Sequence, residues 1–285
     1  MGCIETDPRS ITDLIRLALE EDVADGDHSS LAAVPAERRE RARLLVKEDG
    51  ILAGVAAGIA VFREVDPSLL VTQLLQDGDA IHTGEIVLTV TGSARSILKA
   101  ERLALNIMQR MSGIATHTRE MVSLIGDLPV KLLDTRKTTP NFRIFEKMAT
   151  IIGGAHNHSM GLYDMIMLKD NHIDYAGGIE AAILKTREYL AQTGKDLKIE
   201  IETRNLEEVD EVLRVGGVDI VMLDNFSTDD MREAVKRIGS RFETEASGNV
   251  TKENIRRIAE TGVNGISSGA LTHHVKGLDL SLKAY

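Results

Sequence analysis

The sequence predicts an α/β chain whose C-terminal part is a parallel α/β barrel, and three observations carry that prediction. From residue 130 onward, short apolar β-type runs alternate with helical stretches about every 20–30 residues, the interval of successive βα units. Asp134, Lys169, Glu202, Asp224, Ser247 and Ser268 each stand at or just after the C-terminal end of a predicted strand, where a parallel barrel assembles its site. No Gly-x-Gly-x-x-Gly follows the first of these strands, which favours the barrel over a doubly wound sheet, although an open parallel sheet also binds ligands at that edge.

The elements follow in order. Ser10 with Asp13 resembles a capping box, and Ile11, Leu14, Ile15, Ala18 and Leu19 share one helical face, so the chain opens with a helix. Apolar runs at 43–46, 70–75 and 85–90, punctuated by Asp49-Gly50, Asp77-Gly78 and Thr83-Gly84, read as short antiparallel strands, with a helix over 55–65 between the first two. The segment DGDAIHTGEIVLTVTG has turns like those of lipoyl and biotinyl domains, but no lysine sits at the hairpin tip, and a structural turn pair is the plainer reading. Residues 93–125 carry a helical pattern longer than most globular helices, broken near Ser112-Gly113, that bridges two domains. Strands are then expected at 130–133, 164–168, 197–201, 218–223, 242–246 and 263–267, fewer than the eight of a complete barrel.

Composition narrows the function. A length of 285 residues fits two domains or one large α/β unit, and 27% charged against 43% apolar residues argues against disorder. Lys and Arg number 34 against 44 Asp and Glu, a net charge of −10 that repels a nucleic-acid backbone, and the absence of Trp argues against base-stacking platforms. One cysteine, Cys3, makes neither an intrachain disulfide nor a cysteine zinc site. The first ten residues lack a basic and an apolar segment, and no apolar run approaches the length of a membrane span. A soluble, cytoplasmic metabolic enzyme is the expectation.

Five constellations carry chemistry. Asp134-Thr135-Arg136-Lys137-Thr138-Thr139-Pro140 sets two cations among three hydroxyls between a strand and a helix. Arg offers a fork for carboxylate or phosphate and Lys a point charge, and cations at a helix N-terminus oppose its macrodipole, so they need a reason beyond solvation. The loop Gly153-Gly154-Ala155-His156-Asn157-His158-Ser159-Met160-Gly161-Leu162 carries two histidines that lack a clear third metal ligand; hydrogen bonding to an anionic substrate and, for His156, a structural role are the alternatives. Lys169-Asp170-Asn171-His172 follows an apolar strand, and Lys169 suits either a Schiff base or an anion, the second being favoured by Arg136 and Lys137 nearby. Glu202 and Asp224, on separate strand ends, can hold sugar hydroxyls, bind magnesium or steady a developing cation, or simply pair with lysines. Ser247-Gly248-Asn249 and Ser267-Ser268-Gly269-Ala270 are small-residue turns whose backbone N–H groups can cradle a phosphate.

Together these residues resemble the type II phosphoribosyltransferases, and within them the quinolinate phosphoribosyltransferase family, over nearly the whole chain. Glu21-Asp22 with Gly26-Asp27, Glu101-Arg102 through Asn106 to Ser112-Gly113-Ile114-Ala115-Thr116, Asp134 to Pro140, Lys169 to His172, Leu223-Asp224-Asn225, Glu245-Ala246-Ser247-Gly248 and Gly269-Ala270-Leu271-Thr272-His273 occur in the family's order. The resemblance implies an N-terminal α/β sandwich domain over 1–112, with a tail at 275–285 packing on it, and an incomplete, seven-stranded or similar, α/β barrel over 113–274. It implies magnesium, no organic cofactor, and a homodimer in which Arg102 reaches into the partner's site. Quinolinate and phosphoribosyl pyrophosphate are the implied substrates, with nicotinate mononucleotide, pyrophosphate and carbon dioxide as products.

By the same resemblance, Arg102, Thr135, Arg136, Lys137, His158, Ser159 and Lys169 line the pyridine dicarboxylate and neighbouring phosphates. Glu202 and Asp224 hold ribose hydroxyls and, with Asp170, the metal; Ser247, Gly248, Asn249, Ser268, Gly269 and His273 take the phosphate end. Lys137, Lys169, Glu202 and Asp224 are the expected catalytic groups. The chain departs from the family at Ser159, where an arginine usually contacts a substrate carboxylate, and at Asn249, where a second glycine is common. Arg143 or Lys147 could supply the missing cation, or the base could be another acidic nitrogen heterocycle. A Schiff-base barrel aldolase using Lys169 or Lys137 is the competing reading from another class.

Overall fold

The computed structural model describes residues 10–285; Cys3 lies outside them. In chain order the first half runs α1 (Ile11–Val23), α2 (His28–Ala33), β1 (Arg39–Val46), β2 (Gly50–Ile51), α3 (Val55–Val65), β3 (Leu70–Gln73), β4 (Ala80–Ile81), β5 (Ile86–Ser93) and α4 (Ala94–Ile125). Then come β6 (Lys131–Leu133), α5 (Arg143–Gly153), β7 (Ile166–Leu168), α6 (Asp170–Ala176), α7 (Ile179–Thr193), β8 (Ile199–Thr203) and α8 (Leu206–Val215). The chain ends with β9 (Ile220–Asp224), α9 (Thr228–Ile238), β10 (Glu243–Ser247), α10 (Ile255–Ala259), β11 (Gly265–Ser267), α11 (Ala270–His273) and β12 (Leu280–Ala284). Two compact units divide the described residues: a mixed unit of 10–120 with 138–154 and 271–285, and a barrel unit of 121–137 and 155–270.

In the mixed unit an antiparallel sheet has the order β12-β1-β5-β3, so the C-terminal strand pairs with the first one, Leu44 opposite Leu282. Alternation buries Ala42, Leu44 and Val46 on one face of β1, as period two requires. Helix α1 begins where Ser10 accepts the Asp13 N–H at 3.0 Å. Of its apolar stripe, only Leu14 and Ile15 are buried.

Helix α4 is continuous for 32 residues, against the expected break near Ser112-Gly113. The reason for these small residues is close packing. The Ser112 hydroxyl accepts the Ala53 N–H at 2.9 Å and donates to the Ala53 carbonyl at 3.1 Å, and a Cβ on Gly113 would stand 2.1 Å from the Lys276 carbonyl oxygen.

The barrel unit is a parallel sheet of six strands in the order β6-β11-β10-β9-β8-β7. Six, rather than seven, is the count. The seventh position is reduced to one parallel bridge, Leu133 to His156, on the outer edge of β6. The strands begin one to two residues later than the sequence predicts, so Glu202 and Asp224 lie inside β8 and β9 rather than beyond them. Ile201, Val221, Leu223, Ala246 and Ile266 fill the sheet core, while Val209, Val212, Met231, Ala234 and Ile238 are the buried faces of α8 and α9. Among the described residues no helix is long and apolar enough to cross a membrane.

Candidate active site

In the barrel unit the polar residues gather at the C-terminal strand ends. Asp134, fully buried after β6, accepts the His158 backbone N–H at 2.9 Å and the Asn157 side-chain amide. Its own N–H reaches the His156 carbonyl at 3.1 Å. At the other end of this loop the Asp164 carboxylate accepts the N–H groups of Met160 (2.7 Å) and Gly161 (3.0 Å). Two carboxylates thus hold His158 in place without regular secondary structure.

His158 is the centre of a cluster that sequence reasoning missed. Its Nε2 lies 2.9 Å from Glu200 Oε2 and 3.3 Å from Glu245 Oε2, and both carboxylates are buried, on β8 and β10. Burial opposes the imidazolium, but the hydrogen bonds to Glu200 and Glu245 outweigh it and raise the His158 pKa to about 10. Burial, and then the Glu245 charge, push Glu200 up to about 7. With the imidazolium favoured both ring nitrogens carry protons: Nε2–H faces the two carboxylates, and Nδ1 lies 3.2 Å from the Ser159 hydroxyl oxygen, which can accept from it.

These are the three residues, among those described, whose ligand atoms come close enough to hold a metal. A metal would need a free lone pair on Nε2, but the imidazolium that the two carboxylates favour carries a proton there, so the cluster reads as hydrogen-bonded. The signal that could have found it is the charge itself. A carboxylate alternating with Ile199 and Ile201 on a two-sided buried strand needs a partner across the sheet.

Glu202 and Asp224 occupy neighbouring strands. Burial raises the Glu202 pKa, the charges of Asp224 and Asp170 raise it further, and Lys169 opposes them, so these four groups share one electrostatic neighbourhood. They do not meet as a three-ligand cage. Lys169 is the N-cap residue of α6, exposed, with its backbone N–H on His172 Nδ1 at 3.0 Å; Lys137 is exposed too, its N–H on the Thr135 hydroxyl at 3.1 Å. Exposure does not favour a Schiff-base lysine, which is activated by desolvation or by a neighbouring cation.

The Ser247-Gly248-Asn249 turn is knitted to Asp224-Asn225. The Asn225 N–H donates to the Ser247 carbonyl (2.9 Å), the Asn225 amide to Asp224 (2.8 Å), and the Asn249 amide to Asn225 Oδ1 (2.9 Å). Gly248 has φ 94°, and a Cβ there would stand 2.2 Å from Asn225 Oδ1. Asn249, with φ 48°, is in the left-handed region that Asn tolerates better than other side-chain-bearing residues, which explains how it replaces glycine. Ser268 is buried and its N–H already donates to the Leu133 carbonyl at 3.0 Å, so the expected phosphate cradle does not draw on that group.

Arg102 and His273 belong to the mixed unit. Arg102 is exposed on α4, and His273, at the end of α11, packs edge-on against His274 with ring centroids 4.1 Å apart. Lys147 on α5 is fully buried and Ser159 is buried in the barrel unit.

Cationic and carboxylate groups gathered at the C-terminal strand ends of a parallel α/β sheet are the arrangement of an enzyme that handles anionic substrates, and the family match makes the class that of a phosphoribosyltransferase. The quinolinate phosphoribosyl transferase N-terminal domain matches residues 27–112 and its C-terminal domain residues 114–283. The chain belongs to that family. It is 47% identical over 288 residues to quinolinate phosphoribosyltransferase [decarboxylating] 2b, mitochondrial, of Nicotiana tabacum, covering 96% of this chain and 82% of that one. It is 48% identical over 285 residues to the chloroplastic nicotinate-nucleotide pyrophosphorylase [carboxylating] of Arabidopsis thaliana, covering 95% and 81%. The solved nicotinate-nucleotide pyrophosphorylase of Francisella tularensis superposes with a TM-score of 0.91 at 38% identity over 100% of both chains.

Proposed function

We propose that this chain transfers the phosphoribosyl group of phosphoribosyl pyrophosphate to quinolinate, with loss of carbon dioxide, to give nicotinate mononucleotide and pyrophosphate. The observation that carries the reading is the Glu202–Asp224 pair on adjacent strands with Lys169 opposing its charge, in a family whose named relatives perform this reaction.

The ring nitrogen of quinolinate attacks C1 of the ribose as the bond to pyrophosphate breaks. Positive charge develops on the ribose, and Glu202 and Asp224 stabilise it electrostatically while holding the hydroxyls. Arg136, Lys137 and Lys169 hold substrate anions, and the knitted Ser247–Asn249 turn receives the phosphate end. The N-ribosylated ring is a pyridinium. When the C–C bond to the adjacent carboxylate breaks, its electron pair stays on the ring carbon beside that nitrogen, and a proton takes the place of carbon dioxide.

The carboxylates Glu202, Asp224 and Asp170 are hard oxygen donors that share one neighbourhood without closing a cage, which suits magnesium, since it keeps waters and uses substrate phosphates as ligands. Held there, it would neutralise charge on the departing pyrophosphate. The reading includes a homodimer with Arg102 acting across the interface, for which the exposure of Arg102 is the support. It also includes a reducing, cytoplasm-like compartment on the single cysteine, although the plant relatives are named as mitochondrial and chloroplastic.

The family resemblance keeps a second base in view, because it implies an arginine on a substrate carboxylate where this chain has Ser159. A panel of quinolinate, nicotinate and other acidic nitrogen heterocycles with phosphoribosyl pyrophosphate decides between them. Pyrophosphate release strongest with quinolinate is expected; release with another base and none with quinolinate would reject the reading.

A further inference from the structure

We propose that Glu200 and Glu245 are positioning residues that act through His158, bracing its loop against the strands that carry Glu202 and Ser247; the inference rests on the function proposed above. Strand register sets the arrangement. Side chains two residues apart on a strand share a face, so Glu200 lies one step deeper on β8 than Glu202, about 6–7 Å along the strand, and Glu245 one step deeper on β10 than Ser247. In the parallel ladder Glu202 and Glu245 both stand opposite Met222 of β9, and Ser247 stands opposite Asp224. Glu200, Glu202, Asp224, Glu245 and Ser247 therefore share one face of the sheet, and Glu200 and Glu245 are its buried members.

His158 joins them. From the loop before β7, its Nε2 reaches Glu200 on β8 at 2.9 Å and Glu245 on β10 at 3.3 Å, two strands with β9 between them. Its backbone N–H is held at 2.9 Å by Asp134, which follows β6. One residue thus ties β8 and β10 to the segment after β6. With the Asp164 carboxylate on the N–H groups of Met160 and Gly161, it fixes the turn from Asn157 to Gly161. The His158 side chain is 7% exposed, so the ring works inward and sets the placement of that turn, Ser159 included.

Stability alone does not account for such a brace. Two buried carboxylates face one imidazole, and Oε1 of each meets no donor among the described residues. Well-packed apolar residues of similar volume often stabilise a core as well as a buried charged group or better. Position gives the cluster a use. The turn carries His158 and Ser159, which the resemblance sets beside the pyridine dicarboxylate and neighbouring phosphates, while β8 and β9 carry Glu202 and Asp224, set on the ribose. All of these residues lie in the barrel unit. Attack requires the ring nitrogen and the ribose carbon in line, so the brace governs the alignment of the two reacting parts more than the grip on either one.

The test uses Glu245→Gln and Glu200→Gln in the full-length protein. Each removes one negative charge and leaves one carboxylate for one imidazole, so both are expected to fold with a Tm near or above that of the wild type. Calorimetry is expected to give dissociation constants for quinolinate and for phosphoribosyl pyrophosphate within about threefold of wild type, while kcat falls about tenfold or more, as small misplacements of reacting groups cause. In a His158→Asn background Glu245→Gln adds no further loss of kcat, because it acts only through that ring. Folded variants with wild-type kcat, dissociation constants that rise as far as kcat falls, a further loss in the His158→Asn background, or failure of both variants to fold would overturn the brace. Wild-type protein that turns over another base and not quinolinate would reject the function alone, and the same kcat comparison is then made with that base. If it turns over no base, nitrogen NMR of histidine-labelled protein decides: His158 ring resonances unmoved by Glu245→Gln overturn the brace, and shifted ones uphold it.

Discussion

Nε2 of His158 lies 2.9 Å from the Glu200 carboxylate, and with side-chain exposures of 7% and 0% the pair is shut off from solvent. Its proton equilibria are therefore part of the folding equilibrium. The folded His158 pKa, about 10, is above its ordinary 6.5, so its stabilisation is full below about pH 6.5 and is lost as pH rises through about 10. Glu200, raised from 4.5 to about 7, binds its proton more tightly in the fold, so its contribution falls as pH rises through that interval. Both act in one direction. Urea unfolding at pH 6 and pH 9 is expected to show a loss of stability at the higher pH that is smaller in His158→Asn; an equal or larger loss in that variant would contradict the cluster.

Gly113 is expected to resist replacement. Alanine gains about 1 kcal/mol of helix propensity over glycine, yet its Cβ would press on the Lys276 backbone oxygen at 2.1 Å, and overpacking against backbone costs about 1–3 kcal/mol or more. The clash wins. Calorimetry of Gly113→Ala should show a lower Tm, and a raised one would mean that residues 276–277 yield without cost.

Much of the barrel was legible because strand-end polar residues and βα spacing report a parallel sheet directly, and the helix over 55–65 matches α3. The reading of Gly113 as a breaker failed because glycine serves both chain breaking and close approach, and only the tertiary neighbour, Lys276, tells them apart. Glu202, Asp224 and Lys169 were visible as polar residues ending apolar runs. Glu200 was not, and Glu245 showed only as part of a motif; neither revealed its link to His158, which lies in a loop 42 residues from Glu200 with no local pattern joining them.

Ser159→Arg tests how the base is held. Because a charge-assisted hydrogen bond is worth about 1.5–3 kcal/mol, a new arginine should lower the quinolinate KM by about tenfold or more and leave that for phosphoribosyl pyrophosphate nearly unchanged. Ser159 is buried, so a folded variant with intact phosphoribosyl pyrophosphate binding is the condition for the measurement. If such a variant binds quinolinate no better, another cation already fills the place.

Arg102 should act in the partner's site. Mixing inactive Arg102→Ala with inactive Lys137→Ala chains under subunit exchange is expected to restore activity, since one kind of mixed site carries neither change. Verified heterodimers without recovery would show that each chain completes its own site.

The most direct test of the central claim follows the two products separately. With magnesium, phosphoribosyl pyrophosphate and quinolinate labelled in the carboxylate next to the ring nitrogen, purified protein should release labelled carbon dioxide and pyrophosphate in equal amounts at every time point. Pyrophosphate without carbon dioxide, or neither product from protein shown to bind both substrates, would contradict it.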